Sequence, residues 1–367
     1  MSIPFVDLKS QFEALETEIR AAIDGVLAHG QFIMGPEVAE MESALAAITG
    51  SRHCIAVASG TEALLIALMA LGVSAGDEVI VPAFTFAATA EVVLLVGATP
   101  VLVDVEPDTA NIDVGQVEAA ITKRTRAIIP VSLYGQPADM DELHEVAVKH
   151  GITVIEDAAQ SFGAEYRGRK SCNLSTIGCT SFFPSKPLGC FGDGGAIFTN
   201  DDALATACRE IRVHGQSRRY HHTRIGVGGR MDTLQCSIVL AKLKRFEWEI
   251  ERRIALGQRY NHLFDELGVS RIIQRPDRNS VFAQYTVLVE GRDRIVEILN
   301  ASGIPTAVHY PAPLSAQPAY IERCVSAPLP RSEQLAGSVL SLPMHAYLDQ
   351  DMQDRIVEAV AAAVKKN

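Results

Sequence analysis

A single lysine stands out by its surroundings. Lys186 lies in the apolar segment 181–189 (SFFPSKPLG), among serine hydroxyls, and a glycine-rich turn follows at 192–195 (GDGG). A lysine amine attacks a carbonyl only in its neutral form, and partial burial lowers the pKa of a lysine enough to make that form accessible near neutral pH. The segment therefore predicts that Lys186 forms a Schiff base with an aldehyde-bearing cofactor.

An acidic residue precedes this lysine by 186 − 157 = 29 positions. Asp157, in 156–161 (EDAAQS), suits a carboxylate that keeps a pyridine nitrogen protonated, which makes the ring an electron sink. Asp is also a common helix N-cap, and its own segment leaves both interpretations open; Lys186 favours the first. Gln160 either orients the cofactor's phenolic oxygen through its amide or lies at the surface in the first turn of a helix.

Donors for a phosphate are predicted in two places. The turn that contains Gly60 and Thr61 opens a helix, and the first N–H groups of a helix attract anions together with its positive dipole end. Ser181 adds a hydroxyl from the segment of the lysine. These three residues are candidate phosphate ligands.

Aromatic residues are candidates for the walls of the site. Phe86 either stacks on a cofactor ring or packs in the core, and Phe84 is an alternative for the stacking role. The segment 309–314 (HYPAPL) is stiffened by two prolines and carries His309 and Tyr310. We expect this segment to line the substrate entrance.

A basic run at 216–222 (QSRRYHH) gathers cations within an acidic chain. It either meets a polyanionic substrate such as a nucleotide diphosphate or is a solvated loop. His221 and His222 are not expected to bind a metal, because sequence neighbours diverge on regular elements and no third ligand has a recognised spacing.

Helical and strand-like segments alternate along the first half of the chain, which predicts an α/β fold with a mainly parallel sheet covered on both faces. Such sheets hold ligands outside the carboxyl ends of their strands, where Asp157 and Ser181 fall. The predicted helices are 62–71, 87–96, 114–121 and 139–150. The predicted strands are 78–81, 100–104, 126–131, 153–157 and 178–180.

The length of 367 residues exceeds what one core normally supports, so two domains are expected. We predict a large domain over 1–250 and a smaller C-terminal α+β domain over 251–367. One or two long helices at 234–267 connect them. A strand at 280–289 and helices at 292–302 and 351–365 belong to the smaller domain.

The composition excludes several classes of protein. A net charge of −11 argues against a general nucleic-acid or anionic-membrane surface. There is no signal-like start and no apolar run long enough to cross a bilayer, so a cytoplasmic location is expected. Seven cysteines without a Cys-x-x-Cys pair suggest neither a disulfide framework nor a structural zinc site.

Taken together, the runs at 156–161, 181–186, 192–195 and 308–311 resemble the DegT/DnrJ/EryC1/StrS family of sugar aminotransferases, over nearly the whole chain. The resemblance implies a fold-type I, aspartate aminotransferase-like architecture and a homodimer with active sites at the interface. It also implies pyridoxal 5'-phosphate on Lys186, L-glutamate as amino donor, and a UDP-linked keto sugar as acceptor.

The resemblance assigns roles residue by residue. Lys186 moves protons and Asp157 pairs with the pyridine nitrogen, while Gln160 reaches the phenolic oxygen. The remaining roles are phosphate binding by Thr61 and Ser181, ring stacking by Phe86, and contact with a substrate carboxylate across the dimer by Arg230.

One position departs from the family pattern. Where the family usually has an asparagine that reaches the phosphate of the partner subunit's cofactor, this chain has Gly228. Either a backbone donor or water replaces the amide, or phosphate binding is weaker than in relatives. The same departure is the only support for a non-enzymatic regulator that keeps the fold. A sugar 3-dehydratase of this family, in which a histidine replaces the lysine, is disfavoured by Lys186.

Overall fold

The structure, a computed structural model, describes residues 3–366. Three helices come first; from the helix that begins at Gly60 to the strand that ends at Asp157, α-helices and strands alternate, as the sequence predicts. The helices are α1 (Leu8–Ala14), α2 (Glu16–His29), α3 (Pro36–Thr49), α4 (Gly60–Ala70), α5 (Ala88–Leu95), α6 (Val114–Ala120), α7 (Met140–His150), α8 (Asp202–Arg212), α9 (Thr233–Leu267), α10 (Arg292–Ala301), α11 (Pro330–Ser338) and α12 (Gln350–Lys366). The strands are β1 (His53–Val57), β2 (Glu78–Pro82), β3 (Thr99–Val103), β4 (Thr125–Ile128), β5 (Thr153–Asp157), β6 (Glu165–Tyr166), β7 (Arg169–Lys170), β8 (Ile177–Ser181), β9 (Gly195–Thr199), β10 (Gln216–Arg218), β11 (His221–His222), β12 (Tyr285–Leu288), β13 (Val325–Ser326) and β14 (Val339–Leu342).

The large sheet has the strand order β1-β9-β8-β5-β4-β2-β3-β13. Its strands are parallel from β8 to β13, and only β9 runs antiparallel to its neighbours β1 and β8. Most strand residues are buried, because helices cover both faces of the sheet. The mainly parallel sheet is therefore confirmed, and the carboxyl ends of β1, β2, β5 and β8 meet at one edge.

Two predicted strands are shorter than expected. The strand predicted at 126–131 is β4, whose regular part ends at Ile128. Pro130 has no N–H group to donate, and beyond Ile128 the pairing continues only as single contacts, such as the bridge between Val131 and Asp157. The strand predicted at 280–289 is only β12, because Val281 donates its N–H to Gly135 and Phe282 has a positive φ of 44°. Periodicity in the sequence does not reveal either interruption.

A second, smaller layer forms around the antiparallel pair β12–β14. Its core includes Leu256, Tyr260 and Phe264 from the second half of α9. Phe246 and Ile250 lie earlier on the same helix. They pack instead with residues of the large sheet. The division between 250 and 251 remains a prediction; the helix that crosses it is continuous, and its packing partners change near this point.

No helix within residues 3–366 is long and apolar enough to cross a membrane. The same residues contain no cluster of three or more His, Cys, Asp or Glu that would hold a metal ion. All seven cysteines are free thiols.

Candidate active site

One cavity of about 470 Å³ opens at the edge where the parallel strands end. Asp157 reaches it from the end of β5, Ser181 from the end of β8, and Lys186 from the loop after β8. All of the candidate site residues except Arg230 line this cavity: Gly60, Thr61, Phe86, Asp157, Gln160, Ser181, Lys186, His309 and Tyr310. Residues spread over 250 positions of sequence thus meet because the sheet brings its strand ends together.

The N-terminus of α4 forms the anion-binding side of the cavity. Ser59 caps the helix by accepting a 3.1 Å hydrogen bond from the N–H of Glu62. A side chain at Gly60 would place its Cβ 2.7 Å from Cβ of Ser181, so the glycine lets Ser181 approach the helix end. The free N–H groups of the first turn and the two hydroxyls of Thr61 and Ser181 suit a phosphate.

Asp157 is the last residue of β5 and is buried. Its carboxylate accepts hydrogen bonds from Thr89 Oγ1 at 3.0 Å and from the N–H of Ala159 at 3.2 Å. Burial raises the pKa of Asp157, which these bonds and the charge of Lys186 oppose. No cation lies within 4.0 Å of it among residues 3–366, so a protonated pyridine nitrogen fits as its partner. A turn rather than a helix follows β5, so the N-cap alternative for Asp157 is wrong.

Lys186 lies in the loop after β8, where its N–H donates to the carbonyl of Phe183. Burial lowers the pKa of Lys186, and the charge of Asp157 works in the opposite direction. The neutral amine that attacks a carbonyl is therefore more accessible here than in water.

Gln160 is buried rather than exposed, so its surface alternative is wrong. Its amide oxygen accepts a 2.9 Å hydrogen bond from the N–H of Tyr134, and its amide nitrogen donates to the hydroxyl of Tyr310 at 3.3 Å. These bonds fix the amide at the cavity wall. Burial, more than any other cause, raises the pKa of Tyr310, so its hydroxyl stays protonated.

Phe86 is 57% exposed at the cavity, whereas Phe84 is 1% exposed and packs in the core. Of the two, only Phe86 lines the cavity, and its ring lies 6.2 Å from that of Tyr310. On the same side, burial and the charge of Lys186 lower the pKa of His309 to about 4. His309 is thus neutral near pH 7, and a 3.0 Å hydrogen bond joins its Nδ1 to Ser341 Oγ.

Arg230 lies outside this cavity and beside the first turn of α4. Its charge opposes the burial that raises the pKa of Glu62. Near it, a Cβ added to Gly228 would lie 3.3 Å from the ring of His214 and 3.8 Å from Nη2 of Arg230. The imidazole of His214 borders the space that a side chain at position 228 would enter. The sequence had not singled out His214.

The basic run forms an exposed hairpin of β10 and β11. It does not line the cavity within one chain. Thr89 is the main site residue that sequence reasoning missed. Its four-residue spacing from Thr85, which precedes α5, was the only available signal, and that signal is weak.

The strand order, with a lysine and a buried carboxylate at the sheet edge, is that of a pyridoxal phosphate-dependent transferase of fold type I. The DegT/DnrJ/EryC1/StrS aminotransferase family model matches residues 13–361. The chain belongs to this family and is an aminotransferase, as the resemblance in its motifs indicated.

The chain is similar to each of the following three proteins. UDP-2-acetamido-2-deoxy-3-oxo-D-glucuronate aminotransferase of Pseudomonas aeruginosa is 56% identical over 95% of this chain and 96% of its own. A protein of Geobacillus stearothermophilus named pleiotropic regulatory protein is 43% identical over 98% of each chain. The crystal structure of NtdA from Bacillus subtilis with bound cofactor PMP has a TM-score of 0.92 at 32% identity, covering 99% of this chain and 85% of that one.

Pyridoxal phosphate, of which PMP is the amino form, is the cofactor of this chain. The cavity fits it: the buried carboxylate of Asp157, the N-terminus of α4 with its free N–H groups, and Lys186 all line it.

Proposed function

We propose that the chain moves the amino group of L-glutamate to the 3-keto carbon of a UDP-linked 2-acetamido-2-deoxy-hexuluronate. The product is UDP-2-acetamido-3-amino-2,3-dideoxy-glucuronate, a precursor for O-antigen or another surface polysaccharide, made in the cytoplasm. The observation that carries the proposal is the cavity that joins Lys186 to Asp157, together with the substrate named for the Pseudomonas aeruginosa relative.

Pyridoxal phosphate, when bound, supplies a conjugated ring that accepts electrons from the carbon beside the amino group. Asp157 keeps a proton on the pyridine nitrogen. Nζ of Lys186 accepts the proton from the α-carbon of glutamate and donates it again on the cofactor side. In the second half of the reaction the same amine moves a proton to carbon 3 of the sugar.

The walls of the cavity orient these groups. Thr61, Ser181 and the end of α4 bind the phosphate, and Gln160 hydrogen-bonds the phenolic oxygen. Phe86 covers the ring and excludes water. His309, neutral at pH 7, and Tyr310 contact the sugar.

A second copy of the chain completes the site in this proposal. Apolar side chains are exposed near the cavity and along the loop before α3: Phe32, Ile33, Met34, Phe86 and Phe183. Arg230 would bind the uronate carboxylate across the dimer, and the basic hairpin would meet the diphosphate. Mixing Lys186→Ala and Arg230→Ala chains tests this. If Arg230 acts across the interface, mixed dimers regain about a quarter to a half of wild-type turnover; if it acts within its own chain, none is regained.

The substrate is tested with ¹⁵N-glutamate and a panel of UDP- and dTDP-linked 3-keto and 4-keto sugars, followed by mass spectrometry and NMR of the products. Label at carbon 3 of the UDP-uronate supports the proposal. Label at carbon 4, or a preference for a sugar without a carboxylate, overturns the substrate assignment in favour of another nucleotide sugar. If the protein shows no visible absorbance band from the cofactor, or if that band does not shift on addition of glutamate, the protein would instead be a regulator.

A further inference from the structure

The loop that carries Lys186 closes on itself. At its base, the N–H of Cys190 donates a 2.7 Å hydrogen bond to the carbonyl of Phe182. A Cβ added to Gly189 would lie 2.4 Å from the carbonyl oxygen of Pro184, so the two arms of the loop are in contact. The position of Lys186 at the tip therefore depends on what fixes these arms.

A buried amine outside the loop contacts its closing arm. Lys242 on α9 is only 2% exposed, and its Nζ donates a 2.6 Å hydrogen bond to the carbonyl of Gly189. The same Nζ stands 4.5 Å from the centre of the Phe191 ring. One side chain thus holds both a backbone carbonyl and a ring of the segment that follows Lys186.

A second side chain on α9 also hydrogen-bonds the segment that follows Lys186. Gln235, seven positions before Lys242, accepts a 2.8 Å hydrogen bond from the N–H of Phe191. Two side chains, two turns apart on one face of a long helix, therefore contact the closing arm of the loop.

A buried ammonium is costly, and packing alone does not require one here. Burial lowers the pKa of Lys242 to about 8, which the charges of Glu249 and Cys190 oppose. In the part of the chain that the structure describes, Nζ of Lys242 forms no ion pair with a carboxylate within 4.0 Å, and its hydrogen bond goes to a backbone carbonyl. A methionine would fill similar space without that cost but would leave the Gly189 carbonyl without its donor.

We propose that Lys242 is a positioning residue, which fixes the closing arm of the 182–192 loop so that Lys186 presents its amine to the cavity. The inference rests on the proposed function, because it assumes that Lys186 forms the covalent bond to pyridoxal phosphate. Lys242 itself does not line the cavity and acts through Lys186.

The test compares Lys242→Met and Lys242→Arg, which keeps a cationic N–H donor, with Lys244→Met. Lys244 is exposed on the same helix and serves as the matched control. In cofactor-free protein, hydrogen exchange at the amides of Cys190 and Phe191 should rise at least tenfold in the methionine variant. After addition of pyridoxal phosphate, the borohydride-trapped adduct on Lys186 should form about tenfold more slowly. Arginine should restore at least part of both, and Lys244→Met should match wild type.

Unchanged exchange and unchanged adduct formation in Lys242→Met would overturn the inference. So would exchange that rises throughout the chain with a lower unfolding midpoint, because the role would then be merely structural. If the methionine variant does not fold, Lys242→Gln replaces it under the same criteria. A wild-type protein that forms no adduct on Lys186 would refute the proposed function alone, since the exchange measurement needs no cofactor.

Discussion

Thr89 donates a 3.0 Å hydrogen bond to Oδ2 of Asp157, although 68 positions separate the two residues in sequence. Both are buried. The bond favours the ionised carboxylate, against the burial that raises the pKa of Asp157. In the proposed function, Thr89 therefore helps Asp157 to keep the negative charge that would pair with the pyridine nitrogen.

Replacing Thr89 by valine removes this donor while keeping the shape of the side chain. A hydrogen bond to a charged group contributes about 1.5–3 kcal/mol, so we expect cofactor affinity to fall roughly tenfold to a hundredfold. Release of pyridoxal phosphate followed by absorbance measures the change. Thr206→Val, at an exposed position of α8, is the control. Wild-type affinity in Thr89→Val would show that the bond does not matter.

Replacing Gly60 by alanine should damage the phosphate side of the cavity. The new Cβ would lie 2.7 Å from Cβ of Ser181, so the helix end or the end of β8 must move. We expect at least a tenfold loss of affinity for pyridoxal phosphate, measured by fluorescence titration. Gly25→Ala, where nothing lies within 4 Å of the added Cβ, should bind as wild type. Equal affinities in the two variants would contradict the assignment of this helix end.

Glu156 gives a prediction about pH and stability. It is fully buried, accepts a 2.7 Å hydrogen bond from Ser171 Oγ, and burial raises its pKa to about 7. Its unfolded pKa is about 4.3, so the unfolded chain loses this proton first as pH rises. The free energy of unfolding should therefore fall between about pH 4.3 and 7, by at most about 4 kcal/mol, and change little from this group above pH 7.

Glu156→Gln, which stays neutral, should remove much of that decline. The thermal unfolding midpoint of cofactor-free protein, followed from pH 5 to 8, measures it, with exposed Glu251→Gln as control. Parallel pH profiles for wild type and Glu156→Gln would mean that Glu156 is ionised throughout.

Lys186 can be tested with two variants. Lys186→Ala removes the amine, and Lys186→Arg keeps a cation that does not become neutral in proteins. Both should abolish turnover and leave no borohydride-trapped adduct, with the far-ultraviolet circular dichroism unchanged. Transamination at the wild-type rate by either variant would refute the role of Lys186.

The sequence alone indicated the aldehyde-cofactor chemistry and the α/β fold of this protein. Lys186, Asp157 and Gln160 are recognisable because aldehyde-cofactor chemistry requires an amine, a carboxylate and polar donors in short, distinctive segments. The alternation of helices and strands predicted the parallel sheet, since strands that are buried on both faces appear in the sequence as short, nearly continuous apolar runs.

Only the tertiary structure decided which residues support that chemistry. Thr89 contacts Asp157 because α5 and β5 converge at one edge of the sheet, and Lys242 contacts Gly189, 53 positions away, because α9 packs beneath the loop of Lys186. The burial of Gln160 and the choice of Phe86 over Phe84 follow from the same packing. Local patterns fix an element, whereas a contact between elements depends on strand order and helix packing, which are set by the whole core at once.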